Sequence, residues 1–176
     1  MQLKSLNGCR LKIGSYPPFS YNASGGGGEG RFLPSKENNI LYLSFPPKTF
    51  SIPPLTSKTT KFLSIPLPLG FKIQIHMDKL EGTIDKNSGE VLFKFEARFI
   101  FSIGAMIKFP NLFVNTQLQT GEIKGKLHKS KGLVLQKNGK AKLVGISIIP
   151  ETGNKILDTF LGLPNEALAE LHCEIK

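Results

Sequence analysis

The chain has 176 residues and carries 23 lysines and arginines against 13 acids, a net charge of +10, which fits one domain with one hydrophobic core. No stretch approaches the roughly 18–20 apolar residues of a membrane helix. The charge is nearly all lysine, with only Arg31 and Arg98 as arginines beyond residue 12; bidentate base reading prefers arginine, so specific nucleic-acid recognition is disfavoured and anionic lipid surfaces or acidic proteins stay open as partners.

Met1 to Gly28 holds Lys4, Arg10 and Lys12, four serines and no acid; the first acid is Glu29. Basic, serine-bearing, acid-free N-termini are the mark of organelle transit peptides. Tyr16-Pro17-Pro18 discourages the amphipathic helix of a mitochondrial presequence, and no apolar core of a secretory signal is present. Tyr21 to Gly28 resembles the cleavage region of chloroplast precursors. Residues 1–23 are therefore expected to be a chloroplast transit peptide cut near Ala23, with an ordinary disordered tail as the alternative. The expected location is the stroma or the stromal face of the thylakoid. Cys9 falls in the removed piece, so Cys173 would be alone and no internal disulfide is available.

Nine of the 12 prolines fall at or before Pro68. Proline has no ladder donor, so 24–60 reads as a Gly/Pro-rich extended or disordered segment and 61–176 as the folded unit. Gly25 to Gly30 lacks the Gly-Lys-Ser/Thr that a phosphate loop needs, and reads as linker.

From residue 71 the pattern is period two. Phe71, Ile73, Ile75 and Met77 alternate with Lys72, Gln74, His76 and Asp78, and Leu80–Asp85 continues the strand to a turn at Lys86–Gly89. Val91, Phe93, Phe95, Ala97, Phe99 and Phe101 share one face of the next strand. Leu112–Gln119, Glu122–His128, Leu133–Gln136 and Lys140–Ile149 read as further strands, with Asn138-Gly139 as a hairpin turn. Asn154–Leu161 is the one helix, ended by Gly162 and Pro164. Ala167–Lys176 alternates as a strand, with a helix starting at Pro164 as the alternative. The fold class is mainly β: an antiparallel barrel or strongly curved sheet of six to eight strands with one short helix near the C-terminus.

Two candidate sites emerge. Phe71, Phe93, Phe95, Phe99 and Phe101 form a stripe that is core in most sheets but walls a cavity for a hydrophobic small molecule in a large barrel. Lys124, Lys126, Lys129, Lys131, Lys140 and Lys142 form a candidate patch for an anionic surface, against the plain reading of edge-guarding lysines. His76 with Asp78, and His172 with Glu170 and Glu174, sit at outward positions and read as a polar face rather than a metal site. No catalytic residue, metal ligand or cofactor motif is assigned. Cys173 reads as a small buried hydrophobe.

The runs Arg98-Phe99-Ile100-Phe101-Ser102-Ile103-Gly104 and Phe109-Pro110-Asn111-Leu112-Phe113-Val114-Asn115-Thr116, with Thr120-Gly121, Val144-Gly145 and Phe160-Leu161-Gly162-Leu163-Pro164, resemble a group of plant plastid proteins, some labelled haloperoxidase-like. The resemblance spans most of 62–176 and implies plastid location and fold size. It carries over no catalytic residue: vanadate-type haloperoxidases are helical and surround an oxyanion with several basic groups, whereas this core has one arginine, Arg98, and a β pattern. The expected function is a non-catalytic binding or assembly module at the stromal thylakoid surface. The alternatives are a barrel carrier of a lipid or pigment, and a small barrel enzyme acting on a lipid-derived substrate.

Overall fold

The computed structural model describes residues 1–34 and 38–176. In chain order the strands begin with β1 (Gln2–Ser5), β2 (Cys9–Ile13), β3 (Phe19–Tyr21), β4 (Gly27–Glu29), β5 (Arg31–Leu33) and β6 (Ile40–Ser44). A 3-10 turn at Pro47–Thr49 and the short pair β7 (Thr60–Phe62) and β8 (Ile65–Pro66) follow. The long strands β9 (Phe71–Asp85) and β10 (Val91–Ile103) come next, then β11 (Ile107–Lys108) and β12 (Leu112–Gln119). A separate hairpin, β13 (Glu122–Lys124) and β14 (Lys129–Lys131), leads to β15 (Lys140–Ile149), helix α1 (Lys155–Leu161) and β16 (Asn165–Ile175).

All strands but the β13–β14 pair belong to one antiparallel sheet of order β5-β6-β9-β10-β12-β15-β16-β2-β3-β7-β8, with β1 against β16 and β4. The sheet is not closed as a barrel, which corrects that half of the expectation. The stretch between its edges explains the gap. Pro46, Pro47, Pro53 and Pro54 interrupt it, and a proline cannot donate to a ladder. Only single bridges, Gly27 to Ser51 and Leu55 to Ile73, form there.

Residues 1–60, of which 24–60 was expected to be extended or disordered, contribute β1 to β6 to the sheet. Residues 35–37, inside the expected 24–60 segment, lie outside the described residues. The prolines fall between strands of three to five residues and not within them. Four of the six short strands deliver apolar side chains inward: Leu3 of β1, Cys9 of β2, Tyr21 of β3, Leu43 of β6 and, just past β6, Phe45 are all buried. Cleavage near Ala23 would remove β1, β2 and β3, two of which pair directly with β16.

The later elements follow the alternation closely. β10 keeps one parity throughout, while β9 takes one extra residue at Asp78, so that Met77 and Leu80 both turn inward. In α1 the Asn154 side chain accepts from the Leu157 N–H at 3.0 Å, and Gly162 closes the helix in the left-handed conformation. Of two expected strands, one is shortened and one is lost. Glu122–His128 stops at Lys124, because the Gly125 N–H turns to the His128 carbonyl and the Glu166 carboxylate takes the N–H groups of Lys126, Leu127 and His128. Leu133–Gln136 makes only a bridge from Leu133 to Lys142.

The core has two halves. One gathers Leu3, Leu43, Phe45, Leu80, Phe93, Leu143 and Cys173 from strands distant in the sheet order. The other gathers Cys9, Tyr21, Ile73, Phe101, Leu112 and Ile149 with Leu157 and Leu161 of α1. Between the long strands, β12 and β15 share a single paired position, Gln119 with Val144. Further along, side chains replace the ladder: the Thr116 hydroxyl donates to the Ile146 carbonyl and the Ser147 hydroxyl to the Asn115 carbonyl, each at 2.8 Å. Gly145 lies pressed on β12, where a Cβ would come within 2.8 Å of the Gln117 carbonyl oxygen.

Candidate functional site

The five phenylalanines of the stripe all enter the core. Phe93, 0% exposed, meets Phe45 edge-to-face at 5.7 Å, and Phe95 packs on the same cluster. Phe101 meets Phe71 at 6.2 Å in the other half, with Phe99 beside them. None of the five lines either of two open grooves found among the described residues. A groove of about 790 Å³ runs beside the glycine tract, between Lys4 and Arg31. A second, of about 410 Å³, lies between β12 and β13 and is lined by Lys94, Asn115, Gln117, Gln119 and Lys124.

The six lysines of the patch divide. Lys129 pairs with Glu122 at 2.6 Å, and Lys142 with Glu170 at 3.0 Å. Lys140 stands opposite Glu174 in the β15–β16 register. Lys131 faces Glu122 across the β13–β14 hairpin. Lys124 and Lys126 flank the hairpin turn and are exposed.

That turn is tied down by a buried carboxylate. Glu166, 4% exposed, accepts the N–H groups of Lys126, Leu127 and His128 at 2.6, 3.0 and 2.7 Å. Burial pushes its pKa up, but the three N–H donors and His128 outweigh that and hold the carboxyl below its usual range. Gly125 is required because a side chain there would collide with the carboxylate. Next along the strand, Glu170 accepts from the Ser130 hydroxyl and from Lys142, with Arg10 at 3.9 Å. Together the two glutamates clamp the hairpin over the outer face of β15, where they leave Val144 fully covered.

The antiparallel registers bring several tips to one end of the sheet. β9 starts and β10 ends there, at Phe71 opposite Ile103. The Gly104 N–H donates to the Gly70 carbonyl at 2.8 Å and joins the two loops. The β7–β8 turn, the end of β15 and the Glu166-held turn lie at the same end. These tips expose large apolar side chains: Leu63, Ile65, Ile103, Ile107 and Leu127 are largely uncovered, Leu69 is 91% exposed and Met106 94%. Single exposed leucines are ordinary, whereas a cluster on adjoining tips marks a contact surface. Leu63 and Ser64 both have positive φ, 50° and 66°. Asparagine and glycine suit such a turn; a leucine costs about 1–2 kcal/mol in that conformation, and the turn uses it to hold an apolar side chain outward.

Charge at this end is one-sided. From Asn38 to Met77 and from Ala97 to Gly121 the sequence contains no acid. Those two segments build the β7–β8 turn, the loop into β9 and the β10–β11 turn, and they supply Lys58, Lys61, Lys72 and Lys108. None of the four forms an ion pair among the described residues. Of the acids at this end, Glu166 is buried under the 126–128 turn, and Glu151 and Asp158 sit on the α1 side, where Asp158 accepts from Thr152 and Gly153. The sequence reading did not single out these tips or lysines, although both acid-free windows are visible in the sequence.

His76 projects outward beside Arg98, whose guanidinium binds both oxygens of Asp78. Among the described residues no group of three or more His, Cys, Asp and Glu side chains is placed to hold a metal. Both thiols are buried; desolvation raises Cys9 and pushes Cys173 up to about 12, away from the reactive thiolate. Comparison with protein-family models, curated proteins and solved structures finds no match for this chain.

Proposed function

We propose that the chain is a non-catalytic binding module that docks one end of its sheet on an anionic lipid surface. The observation that carries this is that two acid-free segments, 38–77 and 97–121, build the exposed loop tips and supply four lysines that form no ion pair among the described residues. Lys124 and Lys126, on the clamped turn, extend the basic area to the hairpin side. Near an anionic leaflet each lysine contributes about 1 kcal/mol, so six give about 6 kcal/mol before the cost of immobilisation. The reading favours docking over carriage of a hydrophobic ligand, because the five phenylalanines pack in or against the two core clusters.

The chloroplast location is part of the proposal and rests on the acid-free residues 1–28. Since β1 to β3 belong to the sheet, it carries the requirement that these residues stay on the folded protein. N-terminal sequencing of protein from isolated chloroplasts tests that: a start at Ser24 would contradict it. The docking itself is tested by co-sedimentation with vesicles of phosphatidylcholine alone or with about 30% phosphatidylglycerol. Because the screening length falls from about 10 Å at 0.1 M salt to about 3 Å at 1 M, binding should favour the anionic vesicles and weaken with salt. Equal binding to both vesicle types rules the proposal out.

A further inference from the structure

Building on the docking reading, we infer that the loop tips carrying Leu63, Ile65, Leu69, Met106 and Ile107 penetrate the bilayer, with Lys61, Lys72 and Lys108 held at the headgroup level around them.

The shape of the surface points to a fluid layer and away from a folded partner. A protein interface buries a packed apolar centre within a polar rim. Here the order is inverted: the two most exposed large apolar side chains, Met106 and Leu69, stand on the loop tips, and the lysines lie back along the strands. Lys72 is one residue into β9 and Lys108 pairs with Ser102, behind Met106. An interfacial segment seats apolar groups among the acyl chains and keeps cations beside anionic headgroups. The tips are also braced for it. Phe62 and Phe71, at the bases of two of the loops, pack into the core, and Leu67 between the tips is buried. The Gly104 to Gly70 bond ties two of the loops together, so insertion asks for no refolding. The positive-φ turn at Leu63-Ser64 is a local cost borne to present an apolar tip, a pattern that concentrates at functional sites.

The chain has no tryptophan, so one introduced indole reports from one place. Met106→Trp is mixed with vesicles containing about 30% phosphatidylglycerol, the level at which surface attraction is strong. The expected result is a blue-shifted emission that is quenched by lipids brominated along the acyl chain. In the same background Leu69→Asp lowers vesicle affinity at least about tenfold, as loss of one buried apolar side chain predicts. A control, Lys137→Trp in the turn at the opposite end, stays unshifted. If Met106→Trp protein co-sediments with anionic vesicles but its emission neither shifts nor is quenched, penetration is overturned while surface docking stands. If it does not co-sediment at all, the docking reading fails with it. A blue shift that appears without lipid and grows with protein concentration overturns penetration in favour of self-association.

Discussion

Replacing Glu166 by alanine tests whether one carboxylate fastens the β13–β14 hairpin. Three N–H groups converge on it within 3.0 Å, and a hydrogen bond to a charged acceptor contributes about 1.5–3 kcal/mol net. Lys126 and Leu127 are exposed, so water can replace two of the three bonds once the carboxylate is gone; only the His128 N–H, in a buried residue, is stranded. Relief of the buried charge offsets part of the loss. The expected cost of Glu166→Ala is about 3 kcal/mol, a fall in Tm of about 6–12 °C for a domain of this size. Glu166→Gln keeps one acceptor oxygen and should cost roughly half as much. The folded-state pKa is depressed, so the stabilisation is fully present above the ordinary carboxylate value of about 4.3 and is lost as pH falls through the folded value. The wild-type Tm should therefore drop more than that of Glu166→Gln when pH is lowered from about 6 to below about 4. Thermal melts give the magnitude, and amide exchange at 126–128 gives the place. An alanine variant that melts within about 2 °C of wild type, less than 1 kcal/mol on this scale, with those amides still protected, would refute the clamp.

Removing residues 1–23 should abolish cooperative melting, since it deletes three strands and exposes the β16 edge; a cooperative melt near the wild-type Tm would show that the segment is dispensable. Phe93→Ala should cost about 3–5 kcal/mol, the usual penalty for emptying a buried aromatic site; a loss under about 1 kcal/mol would mean the ring lines a void already present. Cys9 and Cys173 should resist a thiol reagent in the native state and react fully in denaturant; fast native labelling of either would contradict their burial.

The C-terminal two thirds was legible because long strands leave a clear alternation. In β10 each inward position from Val91 to Phe101 carries an apolar side chain, and the register agrees. The N-terminal third was not, because a strand of three residues has too few positions to alternate, and frequent prolines look the same between strands as in an unstructured tail. β13 was overextended for a different reason. Its N–H groups go to Glu166, 38–40 residues away, and nothing local in Lys126-Leu127-His128 announces that partner. Of the lysine patch, the sequence located the residues but not their acids: Glu122 and Glu170 neutralise two of them through pairings that only the hairpin's placement creates. The docking end was visible as two windows without acids, yet its meaning depended on topology, since residues 63–69 and 104–107 become neighbours only through the β9–β10 pairing.

The joint between β12 and β15 gives the molecule a preferred line of failure. Every other boundary between long strands is laced along its length by backbone bonds that no substitution of a side chain can remove. Here the fastening is one paired position, Gln119 with Val144, two hydroxyls, on Thr116 and Ser147, and a bare glycine that lets the chains touch. Drawn apart by force, the protein should tear along this line first, and exchanging two small oxygen-bearing side chains for alanine would weaken it there while leaving the rest of the fabric intact.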